Sequence, residues 1–277
     1  MRKFLLIPFT ILVLALAGAT GGWAETFQTK APYAFLIDDN TGTVLFQKNA
    51  DSPMTPASTT KILTAEIIFR ELAGGRLKLD DTMAISAIAA REGDAESGGS
   101  SMFAQANSRV RVEDLLRGLL ILSGNDAAIA LAEGVAGSEE KFAALMNKRA
   151  RELGMSRSSF TNPWGRGDAG QKVTPRDMAH LAAHVISAYP QYYKYFGETE
   201  FTWNNIRQLN RDPLLRMNIG ADGLKTGHLA KSGFGLVGSA VQNGHRLILV
   251  INGLKTDHAR ADEARKLLEW GFRSLKR

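Results

Sequence analysis

Strand-like alternation of apolar and polar positions is concentrated at the two ends of the chain. Near the start, residues 33–47 contain two apolar runs separated by turn-forming residues, a pattern that predicts a β-hairpin. Near the end, the runs 235–241 and 246–251 flank Asn243-Gly244, a dipeptide typical of a two-residue hairpin turn. A further strand is predicted at 224–228. We expect these strands to pair in a single antiparallel sheet.

The middle of the chain follows helical periodicity instead. Apolar residues recur at spacings of three and four, which indicates amphipathic helices. The predicted helices are 58–72, 112–122, 126–135, 141–153 and 176–187, with a last one at 261–274. This order predicts an α+β fold, in which an antiparallel sheet formed from both chain ends (about 25–57 and 215–277) is flanked by helices and carries an inserted helical lobe.

The first two dozen residues have the pattern of an export signal. Residues 1–3 are basic, 4–17 are almost wholly apolar, and small residues end the segment at Ala24. We therefore predict a signal peptide at 1–24, cleaved to leave one domain at 25–277. The alternative, a retained membrane anchor, is disfavoured because the apolar run is shorter than the ~20 residues of a membrane span.

Composition sets further limits. The 277 residues contain no cysteine, so disulfides are excluded and an exported chain of this size depends on its packed core. The formal charge of +6 suits an anionic wall or membrane surface, but the basic residues are scattered, which argues against nucleic acid as a partner. His180 and His184 are four apart on a predicted helix, yet no H-E-x-x-H pattern accompanies them. We expect no metal ion.

Three short motifs carry the candidate chemistry. Ser58–Lys61 reads S-x-x-K, Ser123–Asn125 reads S-x-N and Lys225–Gly227 reads K-T-G. Each motif alone is weak, but the ordered set is typical of serine enzymes that form acyl intermediates with penicillin. Because the motifs are far apart in sequence, any site that they share must be assembled by the fold.

The S-x-x-K motif places a base next to a nucleophile. A serine hydroxyl is a poor nucleophile until a nearby base accepts its proton, and a lysine three residues along a helix lies on the same face. Lys61 can act as that base for Ser58 if it is neutral, and a second cation, for which Lys225 is the candidate, would lower its pKa. Taken alone, the motif would be interpreted as a helix cap and a solvated lysine.

A second S-x-x-K occurs at Ser138–Lys141. Glu139 and Glu140 follow the serine, and acids in a first helical turn are typical of a helix start. Their charge favours a protonated Lys141. We interpret this second copy as structural.

The other two motifs provide further sides of a cleft. Ser123 can relay a proton and Asn125 can bind a carbonyl or steady Lys61, although such residues also suit an ordinary inter-helix turn. Gly227 leaves room for a substrate backbone beside a strand. Lys225 and Thr226 can bind a terminal carboxylate, and the backbone N–H groups of Ser58 and His228 are candidates for an oxyanion hole.

With their neighbours, these motifs resemble the low-molecular-mass penicillin-binding proteins, the D-alanyl-D-alanine carboxypeptidases of the serine peptidase S11 type. The likeness spans residues 33–272 and includes flanking stretches at 56–61, 118–127, 206–210 and 222–228. It implies a β-lactamase/DD-peptidase-like fold and an enzyme that removes the terminal D-Ala of peptidoglycan pentapeptides through a seryl acyl-enzyme.

The resemblance also implies a role for each matching residue. The catalytic residues that it implies are Ser58, Lys61, Ser123 and Asn125. The substrate-binding residues that it implies are Lys225, Thr226, Gly227, His228, Arg207 and Arg260. It implies peptidoglycan stem peptides as substrates, β-lactam antibiotics as acylating inhibitors, no cofactor, and a location in the periplasm or at the cell wall. Many relatives add a C-terminal β-domain and a membrane-binding helix; with the chain ending at Arg277 we expect neither, nor a stable membrane anchor.

Three alternatives remain open. A D,D-endopeptidase of the same fold would cut cross-links, but Gly124 and His228 favour the carboxypeptidase. A class A β-lactamase would need a Glu-bearing loop, and residues 162–171 contain none. A catalytically silent wall-binding module is disfavoured because all motif residues are present. Trp164 and Arg166 stand where relatives often carry His and Leu, which affects substrate range rather than the core chemistry.

Overall fold

The computed structural model of the protein describes residues 27–93 and 99–276. The predicted signal peptide at 1–24 lies outside them. Within the described residues the strands are β1 (Tyr33–Asp38), β2 (Thr43–Lys48), β3 (Thr82–Ala84), β4 (Arg109–Arg111), β5 (Glu200–Trp203), β6 (Ile206–Leu209), β7 (Ala221–Leu229), β8 (Gly233–Gln242) and β9 (His245–Leu254). The α-helices are α1 (Lys61–Ala73), α2 (Ala87–Glu92), α3 (Val112–Leu120), α4 (Asn125–Ala136), α5 (Glu139–Glu152), α6 (Pro175–Ala188), α7 (Pro190–Gly197) and α8 (Asp257–Leu275).

The central sheet joins the two ends of the chain. Its strand order is β2-β1-β9-β8-β7, and every neighbouring pair is antiparallel. Asn243 and Gly244 form the turn between β8 and β9 with φ of +52° and +80°, as a type I′ turn requires. The pairing of β1 with β9 confirms the predicted α+β class, with one antiparallel sheet formed from both chain ends.

The sheet is covered on both faces. In β9, Leu247, Leu249 and Ile251 belong to the core shared with α8, whereas Ile248 and Val250 belong to the core shared with the helical lobe. Since side chains alternate along a strand, an unbroken apolar run is what such a strand needs.

The helical lobe packs around α1. All residues of α1 from Lys61 to Phe69 are buried, and α3, α4, α5 and α6 contact this helix. The predicted helix at 58–72 differs in its first turn, because Ala57–Thr60 form a 3-10 turn that leads into α1. Ser58 therefore precedes the α-helix, while Lys61 begins it. Any polar group on so enclosed a helix is removed from water.

The sequence pattern does not predict α2, α7 or the small sheets β3–β4 and β5–β6. Helix α7 begins at Pro190 and is held by aromatic contacts: Tyr192 stacks on Phe69 at 5.3 Å between ring centroids, and Phe196 meets Phe69 edge-on at 6.2 Å. Such an element depends on a distant part of the chain, which periodicity does not reveal. No helix among the described residues has both the length and the apolar character needed to cross a bilayer.

Candidate active site

Ser58 lies in a turn that the surrounding backbone encloses. Ala57 has a φ of +51°, which costs an L-residue about 1–2 kcal/mol. A Cβ on Gly165 would lie 1.9 Å from the backbone oxygen of Ala57, and one on Gly227 would lie 2.7 Å from that of Pro56. Glycine at these two positions therefore lets the loop after Trp164 and the edge strand β7 close on the nucleophile from two sides.

Lys61 makes the contacts expected of a base. Its side chain is fully buried, and Nζ lies 3.2 Å from Ser58 Oγ, 2.9 Å from Asn125 Oδ1 and 2.8 Å from the backbone oxygen of Trp164. Two of these partners are carbonyl oxygens, which only accept hydrogen bonds. A neutral amine has two N–H donors for the carbonyls and one lone pair for the Ser58 hydroxyl proton. A neutral Lys61 can therefore donate to both carbonyls and still receive a proton from Ser58.

The electrostatic surroundings also favour the neutral form. Burial lowers the pKa of Lys61 well below its ordinary value, and the charges of Lys225 and Arg211 lower it further, against an opposing effect of Asp126. Burial, with Arg211 and Arg260, lowers the pKa of Lys225 to about 7. Lys225, the second cation predicted from the sequence, is thus close enough for its charge to act on Lys61. Arg211 joins it, although the sequence motifs did not indicate this residue.

The loop between α3 and α4 brings the S-x-N motif to the same place. Ser123 is buried with a φ of +63°, and Gly124 N donates to the backbone oxygen of Gly118 at 2.8 Å. Asn125 begins α4, and its Nδ2 donates to the backbone oxygen of Glu92 at 3.3 Å. This contact orients the amide so that Oδ1 faces Lys61.

Asp126 holds in place the loop that follows Ser100. Its carboxylate is buried and accepts hydrogen bonds from Ser101 Oγ at 2.9 Å and from the backbone N–H groups of Met102 and Ala104 at 3.1 Å each. The N-cap of α4 is Gly124, so Asp126 does not cap that helix. The carboxylate ties the 101–104 loop to the residue beside Asn125.

Ser58 and His228 line two adjoining cavities. The first, which we call the cationic cavity, has a volume of 490 Å³ and is also lined by Ser123, Arg211, Arg216, Thr226, Gly227 and Arg260. The second, the Trp164 cavity, has a volume of 300 Å³ and is also lined by Glu92, Asn125, Trp164, Arg166 and Leu229. Ser58 thus lies at the junction between two halves of one cleft.

The cationic cavity is built to receive an anion. Arg211 donates to Ser100 Oγ at 2.5 Å, and Arg260 is buried and paired with Asp257. Burial lowers the pKa of both arginines. The pKa of the enclosed carboxyl of Asp212, by contrast, is raised by burial to about 7. Positive charge therefore predominates here, and a carboxylate is its chemical complement.

The predicted site residues converge on this cleft with one exception. Arg207 lies on β6, exposed and paired with Glu200, whereas Arg211, just beyond the end of that strand, lines the cleft. His228 stacks on Phe234 with 3.9 Å between ring centroids. The structure shows where these side chains lie, and their chemical roles stay predictions.

The histidine pair considered for a metal lies away from this cleft. His184 Nε2 is 3.2 Å from Oε1 of the buried Glu66, which also accepts a hydrogen bond from Arg149 at 2.7 Å. In the part of the chain that the structure describes, no group of three or more His, Cys, Asp or Glu side chains is placed to hold a metal ion.

Known proteins share this chain's sequence and fold. The model of the peptidase S11 family, described as D-alanyl-D-alanine carboxypeptidase, matches residues 21–256. The chain belongs to the S11 peptidase family. The resemblance drawn from the motifs is thereby confirmed, and with it the expected class of serine-type hydrolase.

Individual S11 relatives agree with this assignment. The chain is 43% identical over 267 residues to D-alanyl-D-alanine carboxypeptidase DacC of Escherichia coli K12, covering 96% of this chain and 67% of that protein. It matches the crystal structure of penicillin binding protein 5 from Haemophilus influenzae with a TM-score of 0.85 and 40% identity, over 89% of this chain and 72% of that one. It matches penicillin-binding protein D2 from Listeria monocytogenes in the ampicillin-bound form with a TM-score of 0.79 and 27% identity, over 89% and 99%.

These likenesses confirm the DD-peptidase-like fold. The chain spans only 62–67% of the length of the first curated relatives that it matches.

Proposed function

We propose that this S11 family member is a serine D-alanyl-D-alanine carboxypeptidase, which removes the terminal D-Ala of peptidoglycan pentapeptides through an acyl-enzyme on Ser58. One observation carries the proposal. Lys61 Nζ lies 3.2 Å from Ser58 Oγ while two carbonyl oxygens occupy its other hydrogen-bonding directions. In the neutral form that burial and the neighbouring charges favour, the lysine can use its lone pair to accept the Ser58 proton.

The first step forms the acyl-enzyme. The Ser58 proton passes to Lys61 as Oγ bonds to the carbonyl carbon of the penultimate D-Ala. The oxyanion forms between the backbone N–H groups of Ser58 and His228, the expected oxyanion hole. As the intermediate collapses, the C–N bond breaks, and a proton from Lys61 reaches the leaving nitrogen by way of the Ser123 hydroxyl. D-Ala then departs, and water hydrolyses the ester to restore Ser58.

The cationic cavity orients the substrate. The carboxylate of the terminal D-Ala is next to the bond that is cut, and Thr226, Arg211 and Arg260 line the cavity beside Ser58. Placing that carboxylate here directs the acyl part of the substrate into the Trp164 cavity. Since β7 is an edge strand, the peptide backbone can lie along it as an added strand.

Inhibition by β-lactams follows from the same chemistry. Opening of the ring acylates Ser58 while the leaving nitrogen stays attached to the acyl group, so it cannot depart as D-Ala does. The ampicillin-bound form of the Listeria relative supports this part of the proposal. Peptidoglycan is outside the cytoplasm, and the predicted signal at 1–24 accords with export of the enzyme.

Mass analysis of muropeptides incubated with the protein tests the proposal, with a Ser58→Ala variant as the control. Loss of one alanine from pentapeptides, absent in the control, is the expected result. Conversion of cross-linked dimers to monomers would instead identify an endopeptidase. No change in either substrate would overturn the enzymatic assignment on wall material and favour a silent binding module.

A further inference from the structure

A third cavity lies next to the active-site cleft. It has a volume of 650 Å³, and its lining includes Tyr33, Met54, Gly167, Lys172, Leu229 and Lys231. It contains no residue of the three motifs. We call it the basic groove.

The basic groove continues the Trp164 cavity. Leu229 lines both, and the loop that lines the Trp164 cavity with Gly165 and Arg166 goes on to line the groove with Gly167 and Asp168. A Cβ on Gly167 would lie 3.1 Å from Leu229 Cδ1, so this glycine and this leucine are close neighbours at the boundary between the two spaces. We call the open surface over these two residues the passage. An extended chain can cross it because position 167 has no side chain to obstruct it.

The charges along the groove are unbalanced. Lys172 and Lys231 are exposed, and neither forms an ion pair with a carboxylate of residues 27–93 or 99–276. Asp168, the acid on the lining, is already paired with Arg166 at 2.9 Å. The groove therefore offers two free ammonium groups to an anionic ligand.

We propose that the basic groove binds the upstream part of the peptidoglycan stem, namely the γ-linked glutamyl residue with its free α-carboxylate. This inference rests on the proposed function. With the terminal carboxylate in the cationic cavity, the acyl chain runs past His228 and Leu229 toward the passage at Gly167. The glutamyl residue is two residues upstream of the scissile carbonyl, roughly 7 Å or more along an extended chain. Its carboxylate then binds Lys172 and Lys231. The enzyme therefore recognises more of the stem than the D-Ala-D-Ala end.

Three synthetic peptides test the charge component. One is the full stem pentapeptide, the second has its glutamyl α-carboxylate converted to a carboxamide, and the third is an N-acetylated tripeptide that ends in D-Ala-D-Ala and lacks the glutamyl residue. We expect kcat/KM for D-Ala release to be about fivefold higher for the carboxylate than for the carboxamide. A Lys172→Glu/Lys231→Glu variant should lose this preference while cleaving the tripeptide at the wild-type rate. Equal rates for the two pentapeptides in the wild type would overturn the proposal.

A charge-matched control and a steric series complete the design. Lys78→Glu/Lys148→Glu changes the net charge equally at exposed lysines of the helical lobe and should retain the preference for the carboxylate. Loss of the preference in this variant would indicate a general charge effect and contradict the groove.

Gly167→Ala and Gly167→Leu narrow the passage progressively. They should lower kcat/KM for the pentapeptide in that order and leave the tripeptide unaffected. A uniform decrease on all peptides would contradict the passage.

A binding measurement separates this inference from the catalytic one. In Ser58→Ala, the Kd of the intact pentapeptide and of its carboxamide can be measured by titration calorimetry. A tighter Kd for the carboxylate, lost in the Lys172→Glu/Lys231→Glu background, supports the groove whether or not the wild type releases D-Ala. Equal Kd values would reject the groove even if carboxypeptidase activity is found.

Discussion

The chain contains the pattern S-x-x-K twice, and the two copies differ in what packs on them. In Ser138–Lys141, the serine is the N-cap of α5: its Oγ accepts a hydrogen bond from the backbone N–H of Lys141 at 3.2 Å. Glu139 and Glu140 fill the first turn, and Lys141 is exposed. In Ser58–Lys61, the serine caps no helix, and Lys61 is fully enclosed.

The four-letter pattern therefore provides only proximity within one turn. Reactivity comes from three other segments that converge on the first copy: the backbone oxygen of Trp164, the amide of Asn125 and the charge of Lys225. The second copy has the same spacing with an exposed lysine and two acids beside it. The predictions below change features of the first copy or its surroundings, and the first two use the second copy as an internal control.

The largest difference is expected between the two serines. Ser58→Ala should abolish labelling by a fluorescent penicillin and lower D-Ala release by at least about 10⁴-fold, because it removes the nucleophile. Ser138→Ala should label normally and reduce the free energy of unfolding in urea by about 1 kcal/mol, through loss of a helix cap. Labelling of Ser58→Ala, or its absence in Ser138→Ala, would contradict the assignment.

The two lysines should differ nearly as much. Lys61→Met should slow acylation by penicillin by about 10²–10⁴-fold, the range for loss of a general base, as measured by stopped-flow fluorescence. Lys141→Met should stay within twofold of the wild type. A fast Lys61→Met variant would mean that another group accepts the Ser58 proton.

A glycine pair tests the enclosure of the nucleophile. Gly165→Ala places a Cβ 1.9 Å from the backbone oxygen of Ala57, so either the Ser58 turn or the loop that contributes the Trp164 carbonyl must move. We expect acylation to be about 10²-fold slower, as for a displacement of about 1 Å. Gly154 also has a positive φ, of +76°, but a Cβ added there would have no atom within 4 Å. Gly154→Ala should therefore cost about 1–2 kcal/mol of stability and leave the acylation rate unchanged; equal rates for both variants would contradict the steric argument.

The smallest effect is a displacement of the pH profile. Lys61 must be neutral to accept a proton, and the charge of Lys225 lowers the pKa of Lys61. Lys225→Gln removes that charge, so the pKa of Lys61 rises and the acid limb of the acylation rate should move to higher pH by about one unit. The pH dependence of the second-order acylation rate measures this. Lys225→Arg keeps the charge and should keep the limb in place; a limb that moves to lower pH in Lys225→Gln would exclude the electrostatic role.

The sequence could predict residues whose side chains belong to a local sequence pattern. The strands at both ends, the Asn243-Gly244 turn and the motif residues Ser58, Lys61 and Asn125 all have signals within a few positions of sequence. The convergence of the motifs followed from the resemblance and not from periodicity.

Other contributions have no such signal. Trp164 accepts from Lys61 through its backbone oxygen, which any residue at that position possesses. Arg211 reaches the cleft because β6 ends at Leu209 and the side chain of Asn210 binds the backbone oxygens of Phe196 and Glu198. That turn depends on helix α7, which the sequence pattern did not predict, and the resemblance indicated Arg207 on the strand instead.

The adjacent residues Asn125 and Asp126 point in different directions from the start of α4, about 100° apart around the helix axis. One contacts the base, and the other anchors the 101–104 loop. The start of one helix therefore connects the amide beside Lys61 to the loop that follows Ser100, a residue that lines both cavities. A change in this loop that excludes a bulky antibiotic is expected to displace that amide as well and so to lower turnover.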